Sequence, residues 1–224
     1  MSLHSSNYSP RLLAFLSLLI PGLGLFIRGH TRQAIQTVFI SVVLALTVWW
    51  SRNWGGAGTQ IFAGILFFLP WWTFQSYHAS LPIPLSIVAT WNRVWERGLD
   101  IRYLGGLFLF SAVMDLSIIL GNPDYQLQVF CTRPGGILGL LTKLQSPFFH
   151  VLIGYGFLRL VRWGLSAYLV YASYGLMNAL ANFACEGYGR IRMVFFLTLL
   201  VFTLYVFMRR KCFGQKSQEG LSRA

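Results

Sequence analysis

The fold class the sequence predicts is all-α: a polytopic integral membrane helical bundle of six to seven membrane segments plus one interfacial amphipathic helix. Three observations predict it. Of 224 residues, 55% are hydrophobic and 11% charged, whereas soluble domains carry about 25% charged residues. The apolar residues gather in blocks near the ~20 residues that a helix needs to cross ~30 Å of hydrocarbon. Short connectors rich in Arg separate the blocks, as expected where cytoplasmic loops face an anionic membrane surface.

Residues 1–10 are polar and read as a loose lead-in. The first apolar segment, about 12–27, is short for a crossing, and Pro21, Gly22 and Gly24 should kink it. It therefore reads as re-entrant or tilted. A cleaved signal would need a small-residue site after the apolar run. Pro21-Gly22-Leu23-Gly24 stands there instead, so the segment is expected to be retained. A basic turn (Arg28, Gly29, His30, Arg32) leads to segments at about 34–50 and 60–76, the latter with Pro70 near its end. Trp49, Trp50 and Trp54 close one of these, and Trp71 and Trp72 lie near the end of the other. Indole rings favour the headgroup boundary, so the tryptophans read as an aromatic belt rather than a pigment or quinone pocket. Residues 1–81 form a three-segment unit.

Residues 82–102 differ. After Pro82 and Pro84, Ile87, Val88, Trp91, Val94, Trp95 and Leu99 repeat at helical spacing, with Arg93, Glu96, Arg97 and Asp100 mostly elsewhere. Such a helix suits the membrane surface, or packs on the bundle. A second unit, 103–208, begins with a segment at about 103–121, ended by Gly121, Asn122 and Pro123, and a polar loop to Arg133. Residues 135–184 are apolar but interrupted by Arg159 and Arg162. Either the chain turns there, giving segments near 137–158 and 163–184, or one helix near 147–175 carries both arginines. A last segment, about 193–208, precedes a basic tail over 209–224.

Charge placement separates the two alternatives. With a turn at the arginines and the N-terminus outside, twelve Lys and Arg lie on the inner side and five on the outer. The single-helix alternative leaves nine against seven, hardly a bias. The turn is preferred. The expected location is the inner (plasma) membrane, multi-pass, with the C-terminus cytoplasmic. The net charge of +12 does not indicate nucleic acid binding, because the cations are distributed between spans rather than gathered in one stripe.

Asp115 is the sharpest candidate for chemistry, an acid well inside an apolar span beside Met114 and Leu116. A carboxylate at such a depth costs about 2.5–3.5 kcal/mol and commonly finds a partner in the bundle interior. Arg159 and Arg162, or Lys143, are the expected partners, in an ion pathway or in a buried ion pair. Tyr171, Tyr174, Asn178 and Asn182 share one helical stripe and could bind a ligand or join helices. Gly154, Gly156, Gly135, Gly136 and Gly139 read as close-packing positions. Cys131 and Cys185 both fall on the outer face, where an oxidising exterior allows a disulfide. Cys212 falls inside. The four histidines have no spacing for shared metal ligation. No metal or cofactor is expected. No nucleophile elbow, phosphate loop or zinc-protease helix is present.

The first 82 residues resemble a loose group of small prokaryotic multi-span membrane proteins. The shared pattern is an apolar run into P-G-L-G, an aromatic and basic turn, a second span, and a third closing on an aromatic-rich D-A-Y. Here Leu12 to Ile20 leads into Pro21-Gly22-Leu23-Gly24, followed by Phe26, Arg28, Gly29, Arg32 and Ala34. Trp71 and Trp72 precede Ser76-Tyr77-His78-Ala79, with Ser76 in place of the usual acid. The resemblance covers about a third of the chain and implies a multi-span fold without a common activity. The leading functional expectation is an accessory or assembly subunit that packs on other membrane proteins and the lipid bilayer. The alternatives are a small ion- or proton-coupled transporter or channel using Asp115, and a lipid-modifying membrane enzyme.

Overall fold

A computed structural model describes residues 8–82, 85–122 and 124–214, except the side chains of Arg190 and Ile191. The lead-in over residues 1–7, Pro84, Pro123 and the tail from residue 215 lie outside the described residues. Those described are mainly helical, with no strand beyond a lone bridge between Val129 and Thr132 in the connection between Gly121 and Gly136. The chain divides into two compact units, Met1–Arg93 and Val94–Ala224.

In the first unit, Ser9 caps α1 (Pro10–Leu19), its hydroxyl accepting from Leu12 N–H, with Pro10 favouring the first turn. Ten residues span only about 15 Å. Ile20 is extended and Gly22 left-handed (φ 79°), and α2 (Leu23–Ile27) folds straight back. The contact is so close that a Cβ on Gly24 would overlap the Leu13 carbonyl oxygen. The expected kink is thus a short hairpin.

The next stretch is continuous in name only. α3 (Thr31–Ala63) is broken at Gly55 and Gly56, the latter left-handed at φ 74°, and a π-helical turn (Gly64–Phe68) leads into α4 (Leu69–Ser80). The arms run antiparallel: Trp71 Nε1 donates to Ser41 Oγ at 2.8 Å, and the Gly64 Cβ position lies 3.8 Å from Val48. α4 also satisfies the α1–α2 hairpin. Gln75 Oε1 accepts from Gly22 N–H, its amide donates to the Ser17 carbonyl, Trp72 donates to Leu18, and Ser76 donates to Ala14. Ser76 therefore holds α1 to α4 through a neutral hydrogen bond.

The amphipathic segment is shorter than its apolar periodicity suggests. α5 (Ile87–Glu96) ends where Gly98 turns left-handed at φ 60°, and Leu99–Arg102 already belong to α6 (Leu99–Gly121). In the second unit α6 is followed by α7 (Gly136–Arg159), α8 (Arg162–Glu186) and α9 (Arg190–Met208), with a 3₁₀ turn at Arg210–Cys212. Leu160, left-handed at φ 53°, ends α7, so the chain turns at the two arginines and the single helix over 147–175 does not form. Ile101, Leu104, Ile153, Phe157, Tyr168, Ala172, Val206 and Phe213 make the core of this unit.

Glycines set two crossings. A Cβ on Gly105 would meet the Gly154 carbonyl oxygen at 2.8 Å, and one on Gly156 would meet Gly164 Cα at 2.5 Å. Gly135 and Gly136 have no neighbour within 4 Å of their Cβ positions, so they are not close-packing sites; Gly136 is left-handed at φ 58°. Among the described residues, three stretches are long and apolar enough to cross a membrane: Thr31–Ser80, Leu99–Gly121 and Gly136–Arg159. α1 and Arg192–Met208 are apolar but shorter.

Candidate functional site

α6, α7 and α8 bring one polar cluster together inside the second unit. Asp115 is six residues from the Gly121 end of α6. Across the crossing, α7 presents Ser146 and His150, which are four residues apart and so share a face. Ser146 Oγ donates to Asp115 Oδ2 at 2.7 Å, and His150 Nδ1 lies 2.9 Å from the same oxygen. α8 adds Tyr171, whose hydroxyl is 3.2 Å from Ser146 Oγ. The side chains of Asp115 and His150 are 24% and 12% exposed. Aromatic rings wall the imidazole: Phe108 at 5.4 Å and Tyr171 edge-on at 5.2 Å between centroids. Pro147 lies inside α7 between Ser146 and His150 and removes one helical N–H donor beside the cluster.

The arginines expected to pair with Asp115 do not. Arg159 and Arg162 are exposed at the α7–α8 turn, and among the described residues no ion pair joins either to Asp115. The reason is length: Arg159 is nine residues, about 14 Å of helix, beyond His150. The acid is paired with an imidazole instead. His150 Nδ1 is within ion-pair distance of the carboxylate but is not aligned for a hydrogen bond with it, so Ser146 is the group that hydrogen-bonds Asp115.

The tyrosine and asparagine stripe splits in two. Tyr171 joins the cluster and stacks on Phe149 at 5.5 Å, while Tyr174 meets Phe130 edge-on at 5.6 Å. Asn178 Oδ1 accepts from Phe130 N–H at 2.7 Å and Asn182 Oδ1 from Cys131 N–H at 2.9 Å. Phe130 and Cys131 are left-handed (φ 43° and 67°), so both asparagines brace a tight turn of unfavourable backbone. A disulfide joins Cys131 to Cys185, with Cα atoms 5.9 Å apart, fixing the same turn to the end of α8.

A second ionic cluster has no counterpart in the sequence reading, which placed Asp100 mostly off the apolar face of the 82–102 helix and Arg209 in the tail. Arg209 donates from Nε to Asp100 Oδ2 at 2.7 Å and from Nη2 to Oδ1 at 2.8 Å. Tyr205 donates to Asp100 at 2.6 Å, and the Trp95 carbonyl accepts from Arg209. The guanidinium lies 3.6 Å from the Trp95 ring centroid. The Arg209 and Asp100 side chains are 5% and 7% exposed. Burial pulls the Arg209 pKa down, but the hydrogen bonds and the charge of Asp100, with smaller contributions from Cys212 and Tyr205, together outweigh burial and raise it, so the cation is permanent. This cluster ties α9 to the start of α6.

Among the described residues, no three His, Cys, Asp or Glu side chains gather as a metal would require. The chain matches no protein-family model, no curated protein and no solved structure.

Proposed function

We propose that this chain is a multi-pass integral membrane protein whose second unit passes protons through the Asp115–His150 pair, as a small proton-conducting transporter or channel. The observation that carries the reading is the 2.9 Å contact between a carboxylate and an imidazole within apolar, bilayer-length helices. Ionisable residues in that setting commonly mark proton or ion pathways. In the topology that fits best, the α1–α2 hairpin is re-entrant. Six full spans follow: the two arms of Thr31–Ser80, then α6, α7, α8 and α9. Thirteen Lys and Arg then lie on the inner, cytoplasmic side and four on the outer.

The other readings have less behind them. The exposed apolar residues of α3 and α9, such as Phe39, Trp50, Val201 and Leu204, are what acyl chains cover as readily as a partner subunit. For a lipid-modifying enzyme, Ser146 would have to be activated by His150, yet it donates its hydroxyl to Asp115.

The test is proton flux in proteoliposomes carrying an internal pH-sensitive dye. The wild type should dissipate an imposed pH gradient, and Asp115→Asn or His150→Gln should slow this at least tenfold. Asp115→Asn keeps the shape and a hydrogen bond from Ser146, so its unfolding midpoint should stay close to wild type. Flux unchanged in Asp115→Asn, or absent from the wild type, would refute the reading.

A further inference from the structure

Residues 209–214, just after α9, fold back on the second unit. Gly214 N–H donates to the Leu160 carbonyl at 2.7 Å, and Phe213 is buried against Phe157 at 5.2 Å between ring centroids. The fold-back closes a cleft of about 510 Å³ lined by Arg162, Ser166, Arg210, Lys211, Phe213 and Gly214, with Leu165 completing the wall. The Arg162 side chain lies across Gly214, where a Cβ would stand 2.7 Å from its Nε. Arg210 rests on the Phe207 ring, 4.4 Å from its centroid.

Among the described residues, no carboxylate ion-pairs with Arg162, Arg210 or Lys211. Asp100, the acid that could have offset them, is committed to Arg209. Three cations around one cleft, with no ion-paired carboxylate among the described residues, favour an anionic occupant. The cleft sits where α9 ends and α8 begins, the level of headgroups if these helices span. Leu165 and Phe213 give the cleft an apolar side next to its cations, which suits a molecule that is phosphate at one end and hydrocarbon at the other. We infer that this cleft is a binding site for the phosphate headgroup of an anionic phospholipid of the inner leaflet. The inference rests on the membrane-spanning placement of α7 to α9 proposed above, and not on the chemistry of Asp115.

The test is native mass spectrometry of protein extracted from nanodiscs of mixed phosphatidylglycerol and phosphatidylcholine. Wild type should retain phosphatidylglycerol selectively. Cations near a membrane surface each contribute about fivefold in affinity, so Arg162→Gln alone should lower retention roughly fivefold, and the triple change with Arg210→Gln and Lys211→Gln about a hundredfold. All three side chains are exposed, so the variants should fold, which their unfolding midpoints would verify. Arg32→Gln, an exposed cation in the other unit, should change nothing. Equal retention by the triple variant, or an equal loss in Arg32→Gln, would overturn the site. Displacement of the lipid by millimolar inorganic phosphate or glycerol phosphate would instead assign the cleft to a free phosphate and equally overturn the lipid. A chain that fails to enter nanodiscs at all would remove the spanning placement and this inference together; one that enters without lipid selectivity removes only the inference.

Discussion

Asp100 and Arg209 stand 109 residues apart and meet through two hydrogen bonds that exclude solvent. Breaking a buried pair by deleting one partner typically costs about 3–5 kcal/mol, because the other charge is left unsolvated. Arg209→Gln and Asp100→Asn should each lower stability by about that much in detergent unfolding. The double change Asp100→Leu with Arg209→Met should cost less than either, since it leaves no orphan charge. Single variants within ~0.5 kcal/mol of wild type would mean that the pair holds nothing. Nothing local in the sequence announces this pair. Residues three and four apart on a helix can be matched by spacing, but a contact between the first turn of α6 and the end of α9 is decided by packing. Asp115 was legible for the opposite reason: a lone acid among apolar residues needs a partner wherever it lies. The partner's identity was not legible. His150 reads as a lone histidine until the turn at Leu160 removes the arginines from reach.

At the scale of elements, the α6–α7 crossing positions the candidate site. Gly105 and Gly154 let the backbones approach, and the same helix pair carries Asp115 opposite Ser146 and His150. A side chain at Gly105 would strike the Gly154 carbonyl oxygen and Leu158 N, both at 2.8 Å. Both obstacles are backbone and cannot rotate away. Gly105→Val should therefore cost about 1–3 kcal/mol by forcing the helices apart. It should also slow proton flux, because a wider crossing lengthens the 2.9 Å contact. Gly106→Ala is the matched control: nothing lies within 4 Å of its Cβ position, so stability should stay within ~0.5 kcal/mol. Equal effects from the two variants would show that helix propensity, and not the crossing, is being measured. Helix limits in this unit were largely readable, because apolar runs of bilayer length interrupted by Arg, Gly and Pro leave few places to turn. Which glycines are crowded was not. Gly154 and Gly156 are, while Gly135 and Gly136 serve the backbone before α7, a distinction set by what lies across the gap.

For the whole molecule, the three cysteines provide a test of orientation. In the proposed topology the Cys131–Cys185 disulfide lies on the outer face and Cys212 on the inner. A membrane-impermeant maleimide applied to intact cells should therefore tag Cys131 and Cys185 only after an impermeant reductant, and should never reach Cys212. Opening the membrane should expose Cys212, but its reaction should be slow. The thiol is buried, and burial raises its pKa against the opposing pull of Arg209. A raised pKa keeps the sulfur protonated at neutral pH, and only the thiolate attacks the maleimide. The rate should climb with pH through and beyond the ordinary thiol range, and denaturing detergent should abolish the delay. Arg209 is held by Asp100, so Asp100→Asn should free the tail and speed Cys212 labelling at constant pH. Tagging of Cys212 from outside intact cells would invert the orientation, moving the Arg162, Arg210 and Lys211 cleft away from the inner leaflet and reversing the direction in which α6 presents Asp115 to the two sides of the membrane.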